Sequence, residues 1–165
     1  MDLRRLARHV LSFRSRLGRD FDAATRRSIQ EAVEASERTH RGEIRFAVES
    51  RLDAAWVWAG KTARERALEL FASLGVWDTA ENSGILVYVL LADRRVEIVA
   101  DRGYADGVTV EQWRKICDTV EAAYREGRFR DGSVDGVREC AQHAARLFPS
   151  EGSDVNELTD EVVVL

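Results

Sequence analysis

This sequence has few of the residues that mark several common classes of protein. It contains one proline and two cysteines in 165 residues. Two cysteines cannot build the disulfide framework of a small secreted domain. Cys117 and Cys140 both fall in helical patterns, which favours buried core thiols. Cys140 and His143 form a single Cys-x-x-His pair, which provides too few ligands for a zinc site.

Long apolar runs are also missing. No stretch approaches the roughly 18 residues that a membrane-spanning helix needs. Arginines interrupt the first 20 residues, which argues against a signal peptide. We therefore expect a cytoplasmic protein without a transmembrane segment.

The common catalytic motifs are missing as well. The sequence has no P-loop, no glycine-rich phosphate loop and no G-x-S-x-G motif. His9, His40 and His143 lie in helical or helix-end contexts, without the third group that nucleophilic catalysis needs. The catalytic residues therefore stay unknown, and whether the chain is an enzyme stays open.

Charge is distributed unevenly along the chain. The net charge is −4, so the whole chain has no general attraction for nucleic acid. Residues 1–45 nevertheless carry eleven arginines against seven acids, whereas residues 151–165 carry five acids and no base. We interpret residues 1–19 as a basic amphipathic helix and residues 150–165 as an acidic C-terminal tail. The helix could pack on its own domain through Leu3, Leu6, Val10 and Phe13 or Leu17, or lie on an anionic membrane.

The stretch from Asn82 to Asp101 is the centre of the predicted fold. Gly84–Leu91 is a continuous apolar run, which predicts a strand covered on both faces. A polar break at 93–95 and a second apolar run at 96–100 predict a β-hairpin. Upstream, alternation over Glu43–Glu49 predicts a half-covered strand with Arg45 and Glu49 outward.

Helical patterns surround these strands and complete a single domain. They cover 22–41, 62–74, 109–126 and 131–148, with Asp22 and Thr109 as N-caps. A strand, a crossover helix and a second strand predict a parallel pair, to which the hairpin adds an antiparallel strand. The predicted fold class is α/β, a small mixed sheet between helices (α/β/α). Residues 162–165 could add to a sheet edge or fray.

Several motifs carry a resemblance to a known family. They are AVEASERT at 32–39, GEIR at 42–45, NSGILVYV at 82–89 and RVEIVADRGY at 95–104, with Trp113 and Phe148-Pro149 as further landmarks. Together these resemble the TPM domain family over residues 20–149, in the form of its shorter bacterial members. The resemblance implies an α/β/α sandwich. It also implies a possible acid phosphatase activity, divalent-cation binding or an accessory role beside membrane complexes.

The candidate site lies at one end of the predicted sheet. The starts of the first two strands and the end of the third meet there. Carboxylate and amide oxygens at this rim could hold Ca²⁺ or Mg²⁺. Arg102 and Tyr104 are candidate substrate-binding residues, because Arg102 could pair with a phosphate. The alternative is that all these side chains only shape turns. The candidate metal ligands are Glu81, Asn82, Asp101 and Asp78.

The opposite rim is the second choice. Asp53 follows the first strand, and Asp93 and Arg94 form the hairpin turn; ligands of parallel sheets favour this end. Nearby, Trp56 and Trp58 could form a recognition lip or tuck under the domain.

Three functions follow from these patterns. The first is an accessory or binding module that meets an unknown protein partner, with a possible cation site on the rim. The second is a weak metal-dependent acid phosphatase. The third is a peripheral membrane protein attached through residues 1–19.

Overall fold

The computed structural model describes residues 3–11, 14–150, 152 and 156–165. In this part of the chain, a four-stranded sheet lies between two layers of helices. The strands are β1 Glu43–Glu49, β2 Gly84–Leu90, β3 Arg95–Ala100 and β4 Val163–Val164. The helices are α1 Leu3–Leu11, α2 Arg14–Asp20, α3 Ala23–Glu37, α4 Ala54–Trp58, α5 Ala63–Ser73, α6 Val110–Arg125 and α7 Phe129–Leu147, with a 3-10 turn at Arg102–Tyr104.

The strand order is β3-β2-β1-β4. β1 and β2 pair in parallel, from Glu43 opposite Gly84 to Glu49 opposite Leu90. β2 and β3 form the antiparallel hairpin. Both pairings confirm the predictions from the apolar runs, and the α/β/α sandwich is confirmed with them. β4 adds to the outer side of β1 in parallel, so part of the predicted tail is an edge strand.

The two faces of β2 enter two separate cores, as its alternation predicts. Ile85, Val87 and Val89 pack with the layer that contains α3, α6 and α7. Leu86, Tyr88 and Leu90 pack with the layer that contains α4 and α5. In the described part of the chain, helices therefore cover both faces of the sheet, and its ends and outer edges stay accessible to other molecules.

β1 is more deeply buried than its sequence predicts. The prediction that Arg45 and Glu49 point outward is wrong, because all seven residues of the strand are buried. Arg66 on α5 binds the Glu49 carboxylate at 2.9 Å, and the Tyr88 hydroxyl donates to it at 2.6 Å. The Arg45 guanidinium donates to the carbonyl of Thr159. Partners that are distant in sequence thus allow charged side chains to be buried.

The basic N-terminal stretch also departs from its prediction. It forms α1 and α2, while Ser12 and Phe13 lie outside the described residues. The expected inner stripe is confirmed at Leu6 and Leu17, which pack against the core. It is wrong at Leu3 and Val10, which are 64% and 55% exposed. His9 is completely buried instead. α1 thus faces the domain with Leu6 together with Arg5 and His9, which bind Asp93 in the hairpin turn.

Candidate functional site

The loops before β1, before β2 and after β3 meet at one end of the sheet, and we call residues 41–43, 81–83 and 101–104 the loop rim. The parallel register places Glu43 beside Gly84, and the antiparallel register places Ile85 beside Ala100. The amide of Asp101 donates to the carbonyl of Gly84 at 2.9 Å. Pairing of the strands therefore brings the three loops together.

Asn82 and Arg102 hold two of these loops against each other. The guanidinium Nε of Arg102 donates to the side-chain oxygen of Asn82 at 2.7 Å. The amide of Gly103 donates to the Asn82 carbonyl at 3.0 Å. Asn82 has a φ of 56°, a left-handed conformation that asparagine tolerates better than most residues. The Asn82 side chain therefore has a turn-forming role in this state.

Two acids of the loop rim each keep an oxygen without a hydrogen bond. Asp101 Oδ1 accepts from the Arg102 amide at 2.7 Å, and Glu81 pairs with Arg41 at 3.0 Å through Oε1. Asp101 Oδ2 and Glu81 Oε2 are buried and have no hydrogen-bond partner among the described residues. Buried polar atoms are normally satisfied, so these two oxygens are the strongest candidates for contact with a ligand.

Tyr104 lies inside the rim rather than on it. It is 1% exposed, and its hydroxyl donates to the Ser83 carbonyl at 2.9 Å. Burial raises the pKa of Tyr104, so the hydroxyl stays protonated. A Cβ at Gly42 would lie 2.7 Å from that hydroxyl, so the glycine makes room for it. Tyr104 therefore supports the loop rim, and we do not expect its hydroxyl to contact a ligand.

The chemistry of the donors decides how well the rim fits a cation. Asp78 is exposed in the turn after α5, where its amide donates to the Gly75 carbonyl at 2.9 Å. Within the described residues, no group of three histidine, cysteine, aspartate or glutamate side chains could hold a metal ion. The rim offers two carboxylate oxygens and the backbone carbonyls of residues 81 and 82. Both carbonyls lie next to Gly103, because a Cβ there would lie 3.0 and 2.6 Å from their oxygens. Oxygen donors of this kind suit a hard cation, held weakly.

A groove of about 610 Å³ runs from the loop rim along β3 and α6. Asp101 and Arg102 lie at its rim end. Arg64 and Arg114 line it further along, where Arg64 lies 3.9 Å from Glu97. Burial is the main reason that the pKa of Glu97 is raised. Three guanidinium groups against the two carboxylates of Glu97 and Asp101 leave the groove with an excess of positive charge, which favours an anionic ligand.

The opposite rim contains a buried charged cluster formed by Arg5, His9 and Asp93. The Arg5 guanidinium donates to both oxygens of Asp93, at 2.8 Å for the closest contact. His9 Nε2 lies 3.0 Å from Asp93 Oδ1, and the Leu52 amide donates to His9 Nδ1 at 3.0 Å. Sequence analysis missed Arg5 and His9 as partners of this rim, although their spacing of four places them on one side of a helix.

The other second-choice residues stay apart from this cluster. Arg94 adopts a φ of 53° in the hairpin turn. Asp53 is exposed and precedes α4 without a side-chain capping bond. Arg94 borders a cavity of about 320 Å³ between the turn and α6. The cavity is also lined by Arg19, Arg95, Glu121, Tyr124, Arg125 and Phe129.

The cysteines and tryptophans have mainly structural roles. Cys117 and Cys140 are free and buried, which confirms the prediction of core thiols. Burial raises the pKa of the Cys117 thiol to about 12, so it is not a nucleophile at neutral pH.

The two tryptophans before α5 differ in exposure. Trp56 lies beneath the cations of Lys61 and Arg66, at 4.1 and 5.0 Å from its ring centroid. Trp58 is 62% exposed.

Comparison with known proteins agrees with the motifs. The family model described as the TPM domain matches residues 20–143. The chain is also similar to the BA42 protein of the psychrophilic bacterium Bizionia argentinensis, whose structure was determined by NMR. The two share 26% identity and a TM-score of 0.76, over 87% of this chain and 94% of that one. No curated protein matches the chain.

Proposed function

This chain belongs to the TPM domain family, and we propose that it is a binding module that holds an anionic ligand and a divalent cation at the loop rim. The observation that supports the proposal is the pair of unsatisfied oxygens, Glu81 Oε2 and Asp101 Oδ2, on loops that also carry arginines. A carboxylate oxygen buried without a partner has a free-energy cost that a cation would remove. The neighbouring guanidinium groups would attract the anion.

A cation at this position would be held by Glu81, Asp101 and backbone carbonyls. When bound, Ca²⁺ or Mg²⁺ would supply positive charge that polarises a phosphoryl oxygen. Within the described residues, the Arg102 side chain donates one hydrogen bond, from Nε to Asn82, so its two terminal nitrogens could face an anion. A guanidinium pairs with phosphate through two parallel hydrogen bonds. The arginines of the groove would then contact the rest of the ligand.

Titration with Ca²⁺ and Mg²⁺ tests this site directly. We expect saturable amide chemical-shift changes confined to residues 81–84 and 101–104. Asp101→Asn and Glu81→Gln should each weaken binding by about tenfold or more, because each removes an anionic oxygen donor. Asp78→Asn is the matched control, since Asp78 is exposed and, among the described residues, has no buried unsatisfied oxygen. Equal cation affinity in the rim variants and the wild type would contradict the proposal.

The groove favours an acid phosphatase as a second function. Arg64, Arg102 and Arg114 would hold a phosphate ester beside the Asp101 carboxylate. Turnover of p-nitrophenyl phosphate with added Mg²⁺ measures this activity in the same set of variants. If the protein is a phosphatase, Asp101→Asn and Glu81→Gln abolish turnover. Cation binding without turnover in the wild type would exclude the phosphatase and would agree with the binding module.

The outer side of α1 supports a third function, attachment to an anionic membrane surface. Residues 3, 7 and 10 share one side of the helix at 100° per residue, and Leu3 and Val10 are largely exposed. Arg4 is exposed at the border of this strip, about 100° from Leu3, whereas Arg8 lies nearer the opposite side of the helix, 3.8 Å from Asp93. An exposed apolar strip beside arginines is typical of interfacial helices. Within the described residues, no helix is both long and apolar enough to span a bilayer.

Liposome sedimentation tests the attachment. We expect the protein to sediment with vesicles that contain phosphatidylserine at low salt, and to be released at about 1 M salt, where the Debye length falls to about 3 Å. Replacing Leu3 and Val10 by serine should reduce the bound fraction by about tenfold, because it removes about two inserted apolar side chains. Replacing exposed Leu68 by serine is the control. Binding that is equal in both variants would exclude α1 as the contact.

A further inference from the structure

The C-terminal segment, residues 156–165, lies along the outer edge of β1. Val163 and Val164 pair in parallel with Ala47 and Val48. The Leu165 amide donates to the Val48 carbonyl at 2.9 Å, and the Ser50 amide donates to the Leu165 carbonyl at 3.2 Å. The segment therefore completes the sheet on the side that β2 leaves open, where an unpaired strand would accept another chain.

Two buried side chains of β1 bind the backbone of the same segment further upstream. The Glu43 carboxylate accepts hydrogen bonds from the amides of Glu157 and Leu158, at 2.8 and 3.3 Å. The Arg45 guanidinium donates to the carbonyl of Thr159. Glu43 and Arg45 are only 3% and 7% exposed. The edge thus binds an extended chain mainly through backbone groups, which any peptide of that shape could provide.

One carboxylate of the C-terminal segment lies between groups of opposite charge. Asp160 is attracted by the Arg45 guanidinium on β1 and repelled by Glu37 on α3. Asn156 donates to both carboxylates, at 3.3 Å to Glu37 and 2.9 Å to Asp160. Glu43 and Glu34 add negative charge around the same point. Burial, with repulsion from Asp160 and Glu43, raises the pKa of Glu37 to about 8. Arg38 lines the same surface cleft as Glu34, Glu37 and Glu43.

We propose that the edge of β1 is a binding site for an extended segment of a partner protein, and that residues 156–165 occupy it as a displaceable substitute. The preferred partner segment has a β-branched apolar residue where this chain has Val163 and a basic residue where it has Asp160. The tethered segment benefits from an effective concentration in the millimolar range. The repulsion at Asp160 offsets part of that advantage, so a partner with lysine there can compete.

The same repulsion makes the exchange depend on pH. The pKa of Glu37 is about 8 with the segment in place, and its ordinary value is about 4.3. The docked state therefore binds the proton more tightly, and this contribution to docking is present at low pH and lost as pH rises through about 8. We expect the segment to be held more tightly at pH 6 than at pH 8.5. A competing peptide with lysine at the Asp160 position should bind at least about tenfold better at pH 8.5 than at pH 6. The upper limit is about a hundredfold, because about two pH units separate pH 6 from the pKa of Glu37.

The experiment uses the isotope-labelled full chain and a ten-residue peptide with the sequence of residues 156–165 carrying Asp160→Lys. On titration at pH 8.5, the Leu165 amide of the chain should move to a position typical of a disordered peptide. The Ser50 amide should stay close to its strand position, because the added peptide replaces its acceptor. An unchanged Leu165 amide at millimolar peptide, with both pH values giving the same result, would overturn the proposal.

Two variants of the full chain separate this proposal from a purely structural role. Asp160→Lys in the chain itself, and Glu37→Gln, both remove the repulsion, so each should weaken competition by the peptide about tenfold. Glu37→Gln should also abolish the difference between pH 6 and pH 8.5. Peptide binding that is equally strong in both variants would overturn the proposal. A dimer of exchanged segments, with no binding of the peptide, would also overturn it.

Discussion

Replacing Gly84 by alanine is expected to lower the free energy of unfolding by at least about 3 kcal/mol. A Cβ at this position would lie 1.9 Å from the carbonyl oxygen of Val76, and 2.9 Å from two other atoms of that residue. Val76 is completely buried, and its amide is bonded to the Phe71 carbonyl at 3.0 Å. The clash is therefore with fixed backbone, which cannot rotate away as a flexible side chain can.

Chemical denaturation with urea measures this loss, and a thermal melt should show a midpoint lower by about 6–12 °C. Gly18→Ala is the matched control, because Gly18 lies within α2 with nothing within 4 Å of the added Cβ. That control should stabilise the protein by about 0.5–1 kcal/mol, the usual gain for alanine over glycine in a helix. A Gly84→Ala protein that unfolds at the wild-type midpoint would show that the loop before β2 can move.

This clash explains one of the sequence motifs that carry the family resemblance. The step from Asn82 to Gly84 combines a left-handed residue with a position that has no room for a side chain. Gly103 has a similar constraint, since its Cβ would lie 2.6 Å from the Asn82 carbonyl. These residues therefore serve the close approach of two loops, whether or not a ligand binds there.

The centre of the fold could be predicted because its signal is local. The run from Gly84 to Leu90 is apolar at every position that faces either core, so a strand buried on both sides is the simplest solution. The polar break after it then requires a hairpin. The family motifs supported the same arrangement of parallel and antiparallel pairs.

The burial of Arg45 and Glu49 could not be predicted in the same way. Alternation of polar and apolar residues normally indicates a face open to water. Here the partners of the two charges are Thr159 and Arg66, which are distant in the sequence. The burial of His9 on α1 has the same physical cause, since its partner Asp93 lies 84 residues further along the chain.

The candidate site could be predicted only at the level of loops. Topology alone requires that the starts of β1 and β2 and the end of β3 share one end of the sheet. It does not determine that Tyr104 turns inward, which depends on the space that Gly42 leaves beside its hydroxyl. Nor does it show which oxygens of Glu81 and Asp101 stay without partners, because that depends on hydrogen bonds among neighbouring loops.

The second large effect is expected at Asp93, where Asp93→Asn should weaken the docking of α1 by about 2–3 kcal/mol. The carboxylate is 9% exposed and receives hydrogen bonds from Arg5 and His9, whose side chains are 17% and 0% exposed. An amide removes the charge that balances the buried guanidinium. The Leu52 amide donates to His9 and is a local reporter. Its hydrogen exchange should accelerate by about 30–150-fold, which is this free energy expressed as a rate ratio.

Acid should reproduce this loss in the wild-type protein. Burial raises the pKa of Asp93, but hydrogen bonds and charge from Arg5 and His9 outweigh it and hold the pKa below its usual value. A depressed carboxyl pKa stabilises docking above the unfolded value of about 3.9, and the contribution is lost as pH falls below that value. The Leu52 amide should therefore lose protection below about pH 4 in the wild type, with little further pH dependence in Asp93→Asn. Asp53→Asn is the control, since that carboxylate is exposed at the same end of the sheet. If it accelerated exchange as much as Asp93→Asn, a general effect of charge at this rim, and not the buried cluster, would hold α1 in place.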